Sequence, residues 1–259
     1  MIKEDFFKNK IGVIGAGNIG RSVILKLLEK GYPYDNIQLS YNGSIFTFSA
    51  LFDDNLVDMI SDNSRLVKDS SIILLSVPPQ SFEKIGDFGL DKDTLVISFM
   101  AGISIDKIKK QTNSENVVRV IPTGPDTIKN SCAIAGTYPG NDVADFLFDL
   151  LDFDYYIIDN EDKMDYMVIA GCLPAVYCRV DPHSNESIRD IQRFAGDFDE
   201  FIEISKKAEN LVPTDNIDEF VKQVSTPGGV TEAIISSLDQ GNSLYDSLMT
   251  GIKRNNELS

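Results

Sequence analysis

Three glycines near the start of the chain have the spacing of a dinucleotide-binding loop. They lie in the segment Gly15-Ala16-Gly17-Asn18-Ile19-Gly20, after the apolar run Ile11–Ile14 and at the start of a predicted helix, Ile19–Lys30. The first glycine permits a tight turn, the second lets the backbone approach a pyrophosphate, and the third lets helix and strand pack closely. The free N–H groups at a helix start also favour phosphate. All six residues are therefore predicted contacts of an NADP or NAD cofactor.

The sequence leaves open which of the two dinucleotides is preferred. An NAD site usually has an acidic residue about 20 positions into the motif, and an NADP site usually has an arginine nearby. Ser40 stands at the acidic position and the arginine is also missing. Ser40, Asn42 and Ser44 could hydrogen-bond either group, and Lys68 is one cation that could reach a 2′-phosphate. We expect less than about 100-fold discrimination, ~2.7 kcal/mol.

Composition and charge argue against several other classes of protein. The net charge is −16, and residues 142–220 carry 20 acidic against 6 basic side chains, which disfavours nucleic-acid binding. The apolar runs are too short to cross a membrane and the N-terminus lacks a signal-peptide pattern, so we expect a cytoplasmic protein. Three cysteines and one histidine, His183, lack metal-ligand spacing and predict no metal site. The cysteines are expected to be small buried residues, and His183 a loop residue.

Short apolar runs alternate with helical stretches through the first part of the chain. This alternation predicts an α/β domain with a Rossmann-like, mostly parallel sheet over residues 1–158. The predicted helices include Ile105–Gln111 and Val143–Leu151. The predicted strands are Ile11–Ile14, Ile37–Leu39, Val57–Ile60, Ile72–Val77, Leu95–Ser98, Val117–Ile121, Cys132–Ala135 and Tyr155–Ile158.

Residues 159–259 have no strand signals and predict an all-helical domain. Apolar residues recur at helical spacing from Ile188 to Ile202, with a break at Gly196 and Asp197 as the expected cap of the next helix. Leu244 to Ile252 predict a final amphipathic helix. The apolar side chains look too numerous for a small bundle to cover, so we expect this domain to form a homodimer or a higher homo-oligomer.

Besides the glycine loop, the chain contains several further motifs. In order they are Asp62-Asn63, Ser76–Gln80, Ser98–Ser104, Val117–Pro125, Ala170–Ala175, Ser225–Thr231 and the C-terminal Arg254 to Leu258. In order and spacing they resemble motifs of pyrroline-5-carboxylate reductases, which reduce a cyclic imine to proline. The Val117–Pro125 segment is similar to the family's "VVRVMPNTP" strand, Ala170–Ala175 to its "SGSGPA" turn, and Ser225–Thr231 to its "TSPGGTT" segment.

The resemblance implies a small-molecule imine substrate and a set of site residues. The family's substrate carboxylate is held by backbone N–H groups of Gly228–Thr231, helped by the Thr231 hydroxyl and the Gly171–Pro174 turn. The implied catalytic residues are Gly171, Cys172, Gly229, Val230 and Thr231. The implied further cofactor contacts are Asn42, Asn63, Val77, Pro78, Ala101 and Thr123. An alternative role for Thr231 is a helix-capping hydroxyl.

The chain departs from the family pattern at positions that bear on the substrate. Both serines of "SGSGP" are lost in Ala170–Pro174, the family's lysine is Pro78, and the helices of Tyr177–Thr214 are acidic. Hydride transfer to an imine needs no nucleophile or metal, so reductase activity is compatible with these residues. The alternative is a non-catalytic homologue that binds dinucleotide as a sensor or partner-binding dimer. A β-hydroxyacid dehydrogenase is a further alternative. It is disfavoured because that group carries a catalytic lysine in the corresponding helix, and Asp165–Tyr177 contains no lysine.

Overall fold

The computed structural model describes residues 2–41, 43, 45–86 and 88–258. It divides the chain into two compact units, Met1–Glu161 and Asp162–Ser259. No helix in these described residues is long and apolar enough to span a membrane. The roles expected for the two domains remain predictions.

A single sheet organises the first unit, as far as the chain is described. Its strands are β1 (Ile11–Ile14), β2 (Ile37–Ser40), β3 (Ile72–Leu75), β4 (Leu95–Ser98), β5 (Val117–Pro122), β6 (Ile134–Tyr138) and β7 (Asp154–Ile157). The strand order is β2-β1-β3-β4-β5-β6-β7, and every pair is parallel except β5 with β6. The predicted Rossmann-like, mostly parallel sheet is confirmed.

Both faces of this sheet are covered, which explains the continuous apolar runs. Val13 and Leu74 belong to the core on one face, and Ile14 and Ile73 to the core on the other. The helices of the unit are α1 (Lys3–Phe6), α2 (Asn18–Glu29), α3 (Ile45–Asp53), α4 (Asn63–Asp69), α5 (Pro79–Phe82), α6 (Ile105–Thr112), α7 (Pro125–Lys129) and α8 (Asp142–Leu150).

One predicted strand in this unit is wrong. Val57–Met59 form a 3-10 helix, and only Ile60 makes a β-bridge, with Leu39. A segment of four residues, three of them apolar, is compatible with either a strand or a helical turn, because periodicity cannot separate the two at that length. The predicted strand Ile72–Val77 ends at Leu75, which leaves Ser76 and Val77 in the loop beyond the sheet.

In the second unit, all the regular secondary structure of the described residues is helical. It contains α9 (Met164–Tyr177), α10 (Asn185–Ala195), α11 (Asp199–Ala208), α12 (Ile217–Val224), α13 (Val230–Asp239) and α14 (Leu244–Leu258). The predicted break is present at Gly196, where φ is +58°. The predicted cap is wrong, because Phe198 rather than Asp197 occupies the N-cap position of α11, with no side-chain capping bond.

An aromatic cluster fills the centre of the second unit. Phe194, Phe198 and Phe201 pack around Tyr166, with ring centroids 5.0 to 5.9 Å from its ring. The three phenylalanines are at most 3% exposed. The phenylalanines of the stripe that suggested a surplus of apolar side chains are thus covered within the chain itself, while Ile188 of the same stripe is exposed.

Candidate functional site

The turn between β1 and α2 is built around Gly15. Its φ is +105°, and a Cβ there would lie 2.7 Å from the carbonyl carbon of Ser76. The Ser76 hydroxyl donates a hydrogen bond of 2.6 Å to the Gly15 carbonyl oxygen. A side chain at position 15 would therefore disrupt both the turn and its contact with the end of β3.

The space around Gly17 fits a phosphate-bearing ligand. Gly17 is exposed at the start of α2, and a Cβ built there would meet no protein atom within 4 Å. At Gly20, by contrast, a Cβ would collide with the Gly15 carbonyl oxygen and lie 2.5 Å from the Ser76 hydroxyl. Gly20 thus permits helix packing, while Gly17 leaves its backbone open to solvent, as a loop that approaches a pyrophosphate requires.

A cleft of about 470 Å³ lies next to this loop; we call it the glycine-loop cleft. It is lined by Ile14, Gly15, Ala16, Gly17, Ser40, Tyr41, Gly43, Thr47, Asn63, Ser76, Val77, Pro78, Ser81, Lys84 and Ile85. Six predicted cofactor contacts therefore lie together, from Gly15 to Gly17 and at Asn63, Val77 and Pro78. Asn18, Ile19 and Gly20 form the first turn of α2, and Asn42 lies outside the described residues.

Ala101 and Thr123 follow β4 and β5 at the same carboxyl edge of the sheet, but they do not line this cleft. The buried Thr123 hydroxyl accepts a bond from the Ile134 N–H at 3.1 Å and lies 3.2 Å from the Thr127 hydroxyl. Its bonds therefore hold the junction of β5 and β6, and a role for either residue in cofactor binding stays a prediction.

Sequence reasoning missed part of the cleft wall. Thr47 belongs to α3, a helix that the sequence did not predict, while Ser81 and Lys84 follow β3. No motif includes these positions. A possible signal is their place after the carboxyl ends of β2 and β3, where ligands of open α/β sheets bind.

In the second unit, the Gly228–Thr231 segment leads into α13. The Gly228 N–H donates to the Glu232 carboxylate at 2.6 Å, and the Gly229 N–H donates to the Thr226 carbonyl oxygen at 2.8 Å. Val230 and Thr231 are the first two residues of α13, where N–H groups have no partner within the helix. Half of the predicted carboxylate-binding N–H groups are thus bonded within the chain.

The predicted turn at Gly171–Pro174 is wrong, because these residues lie inside α9. Proline lacks an N–H donor and usually ends a helix, which made a turn the natural expectation. Pro174 is here buried within the helical unit, so packing with neighbouring helices maintains α9 around it. Gly171 and Cys172 therefore belong to a helix rather than to a loop.

Thr231 and Cys172 are in direct contact. The Thr231 hydroxyl donates to Cys172 Sγ at 3.2 Å, and the thiol donates to the Val168 carbonyl oxygen at 3.3 Å. Burial raises the pKa of Cys172 to about 11, so the thiol is protonated at neutral pH and is a poor nucleophile. Thr231 is not a helix cap, because Gly229 occupies that position without a side-chain bond.

Cys132, Cys178 and His183 belong neither to the lining of the glycine-loop cleft nor to the predicted substrate-binding residues. Cys132 is exposed and Cys178 is half-buried, so the expectation of burial is right for Cys172 and wrong for Cys132. His183 lies in a turn, as predicted, with Nε2 3.3 Å from the Glu209 carboxylate.

Comparison with known proteins shows which families this chain is similar to. Residues 10–102 match the family described as "NADP oxidoreductase coenzyme F420-dependent". A pyrroline-5-carboxylate reductase of Pisum sativum is 22% identical over 270 residues, covering 96% of each chain. The expected resemblance to pyrroline-5-carboxylate reductases is confirmed.

The similarity of sequence is strongest in part of the chain. The reductase of Vibrio alginolyticus is 32% identical over 123 residues, which cover 45% of this chain and 44% of the relative. The alignments with the first curated relatives span less than half of each relative's length. A solved pyrroline-5-carboxylate reductase from Coxiella burnetii shares the fold, with a TM-score of 0.62 at 20% identity over 97% of this chain and 98% of that one. Together with the glycine loop, these matches support an NAD(P)-dependent oxidoreductase.

Proposed function

We propose that this protein reduces a small cyclic imino acid with NADPH or NADH, and that the favoured reaction converts 1-pyrroline-5-carboxylate to proline. The observation that carries the proposal is the open backbone at Gly17 in the glycine-loop cleft. The substrate class comes from the resemblance to reductases whose sequence similarity extends, in one relative, along 96% of the chain.

The proposed reaction requires no covalent bond between the protein and its substrate. A reduced nicotinamide, when bound, would supply the hydride that converts the protonated imine to a secondary amine. The chain's own residues would bind and orient the cofactor and the imine substrate. Orientation is the main source of rate enhancement in such a hydride transfer. Gly15–Gly20 would hold the pyrophosphate, and Val230 and Thr231 would offer N–H groups and a hydroxyl to the substrate carboxylate.

Substitution of Gly17 tests the cofactor site. A valine side chain there would enter the open space that the pyrophosphate needs, and its Cβ would meet no protein atom within 4 Å. We expect Gly17→Val to raise the Kd for NADP⁺ and for NAD⁺ at least tenfold, ~1.4 kcal/mol, measured by isothermal titration calorimetry. An unchanged Tm would serve as the control for folding. A variant that binds both dinucleotides as tightly as the wild type would show that the site is assigned wrongly.

A non-catalytic homologue is a second candidate, and one observation favours it. The Gly228 N–H already binds the carboxylate of Glu232, so part of the predicted substrate site is filled by the chain itself. Cofactor oxidation with pyrroline-5-carboxylate at neutral pH, beside proline oxidation at high pH, separates the two candidates. Dinucleotide binding without turnover in either direction would favour the non-catalytic homologue.

A further inference from the structure

Lys84 brings a positive charge to the glycine-loop cleft. It lies in the 3-10 turn Glu83–Ile85, which follows α5, and it lines the cleft together with Ser40 and Tyr41 at the end of β2. Among the described residues that line the cleft, Lys84 alone carries a formal charge, and none is acidic. The end of β2 is the place where Rossmann-type sites distinguish a ribose hydroxyl from a 2′-phosphate.

Neighbouring charges are paired elsewhere in the first unit. The carboxylate of Glu83, next to Lys84 in sequence, lies 3.0 Å from the Lys107 ammonium on α6. The described part of the chain shows no ion pair for Lys84 itself. Lys68, which the sequence suggested for this role, lies in the last turn of α4 and does not line the cleft.

This arrangement answers the question that the motif leaves open. The residue at the usual acidic position is Ser40, so nothing at that position repels a phosphate, and no arginine lines the described cleft. We propose that Lys84 is a specificity-determining residue that favours the 2′-phosphorylated dinucleotide, NADP(H), over NAD(H). The inference rests on the proposed dinucleotide site.

The expected preference is moderate, because Lys84 is exposed. An exposed ammonium is a well-hydrated point charge whose attraction to a phosphate is weakened by water and salt. We therefore expect about a tenfold preference for NADP⁺ over NAD⁺, which corresponds to ~1.4 kcal/mol.

Calorimetric titration with NADP⁺ and NAD⁺ tests the inference without turnover, since the two ligands differ only by the 2′-phosphate. Lys84→Gln is expected to raise the Kd for NADP⁺ about tenfold and to change the Kd for NAD⁺ less than twofold. Lys84→Arg should keep the preference, because it keeps the charge. Lys68→Gln is the matched control, since it removes one positive charge from the same unit outside the cleft. Higher salt should reduce the wild-type preference and leave that of Lys84→Gln unchanged.

The outcomes separate this inference from the proposed function. If the wild type binds neither dinucleotide, the cofactor site itself is wrong. If the wild type binds both and Lys84→Gln weakens both equally or neither, the site stands and the role of Lys84 is refuted.

Discussion

The Thr231 hydroxyl has a single proton to donate, and in the structure it donates that proton to Cys172 Sγ. A substrate carboxylate would have to compete with the thiol for it. A carboxylate is the stronger acceptor, because hydrogen bonds to charged groups contribute ~1.5–3 kcal/mol, about twice as much as neutral ones. The contact is thus compatible with both a structural and a substrate-binding role.

Thr231→Val separates these roles, since it keeps the shape and removes the hydroxyl. If Thr231 binds the carboxylate, kcat/KM for the imine should fall roughly 10- to 150-fold. The Kd for NADP⁺ should hardly change, since the dinucleotide site is proposed in the first unit. Thr250→Val is the matched control, because that hydroxyl bonds the Asp246 carbonyl oxygen within α14. A lower Tm with normal turnover would leave Thr231 a purely structural residue.

At the scale of elements, one carboxylate connects α2 to the loop before β7. The Asp152 carboxylate lies 2.6 Å from the Lys30 ammonium and 3.4 Å from that of Lys26. It also accepts a bond of 2.8 Å from the Ser131 hydroxyl. The hydrogen bond from Lys30, followed by those from Ser131 and Lys26, lowers the pKa of Asp152 below its ordinary value.

A lowered pKa in the folded state makes stability depend on pH in a defined direction. The contribution of Asp152 is fully present above its unfolded pKa, about 3.9, and is lost as the pH falls through its folded pKa. Asp152→Asn should therefore lower Tm at pH 7, and the difference from the wild type should shrink below about pH 4. Asparagine tolerates the positive φ of +58° at this position, so backbone strain should add little.

Thermal unfolding followed by circular dichroism between pH 3 and 7 measures this difference. Asp35→Asn, a neutralisation at an exposed position of the same unit, controls for the change in net charge. An Asp152→Asn deficit that stays constant with pH would contradict the electrostatic explanation.

The elements also show how far the sequence predicts this molecule. The strand, glycine turn and helix around Gly15 were predictable, because three glycines with distinct steric roles fix that geometry locally. The 3-10 helix Val57–Met59 and the helical conformation of Gly171–Pro174 were not predictable. A short, mostly apolar segment and a proline have local preferences that tertiary packing overrides. Lys84 was also missed, since it reaches the cleft only when the segments after β2 and β3 come together.

At the scale of the whole molecule, exposed apolar surface favours self-association, while the negative charge of the chain opposes it. Within the described residues of the second unit, the exposed large apolar side chains are Ile188, Ile217 and Met249. This surface is smaller than the sequence suggested, because the phenylalanines are buried. The net negative charge of residues 142–220 adds repulsion between copies.

We predict a homodimer whose stability rises with salt, because salt screens the repulsion between the acidic helices. Sedimentation velocity at micromolar protein concentration, in about 50 mM and about 500 mM salt, measures the dimer fraction. We expect that fraction to be larger at the higher salt concentration. A monomer in both conditions would contradict the prediction. A dimer weakened by salt would indicate an interface held by ion pairs instead.

The burial of Cys172 also has a consequence for the chain's response to oxidants. Peroxide reacts with thiolates, and a buried thiol with a pKa of about 11 provides almost none at neutral pH. Cys132 is the exposed cysteine, so sulfenic acid should form there first. Oxidative damage would thus reach the loop before β6 while the α9–α13 contact is still reduced.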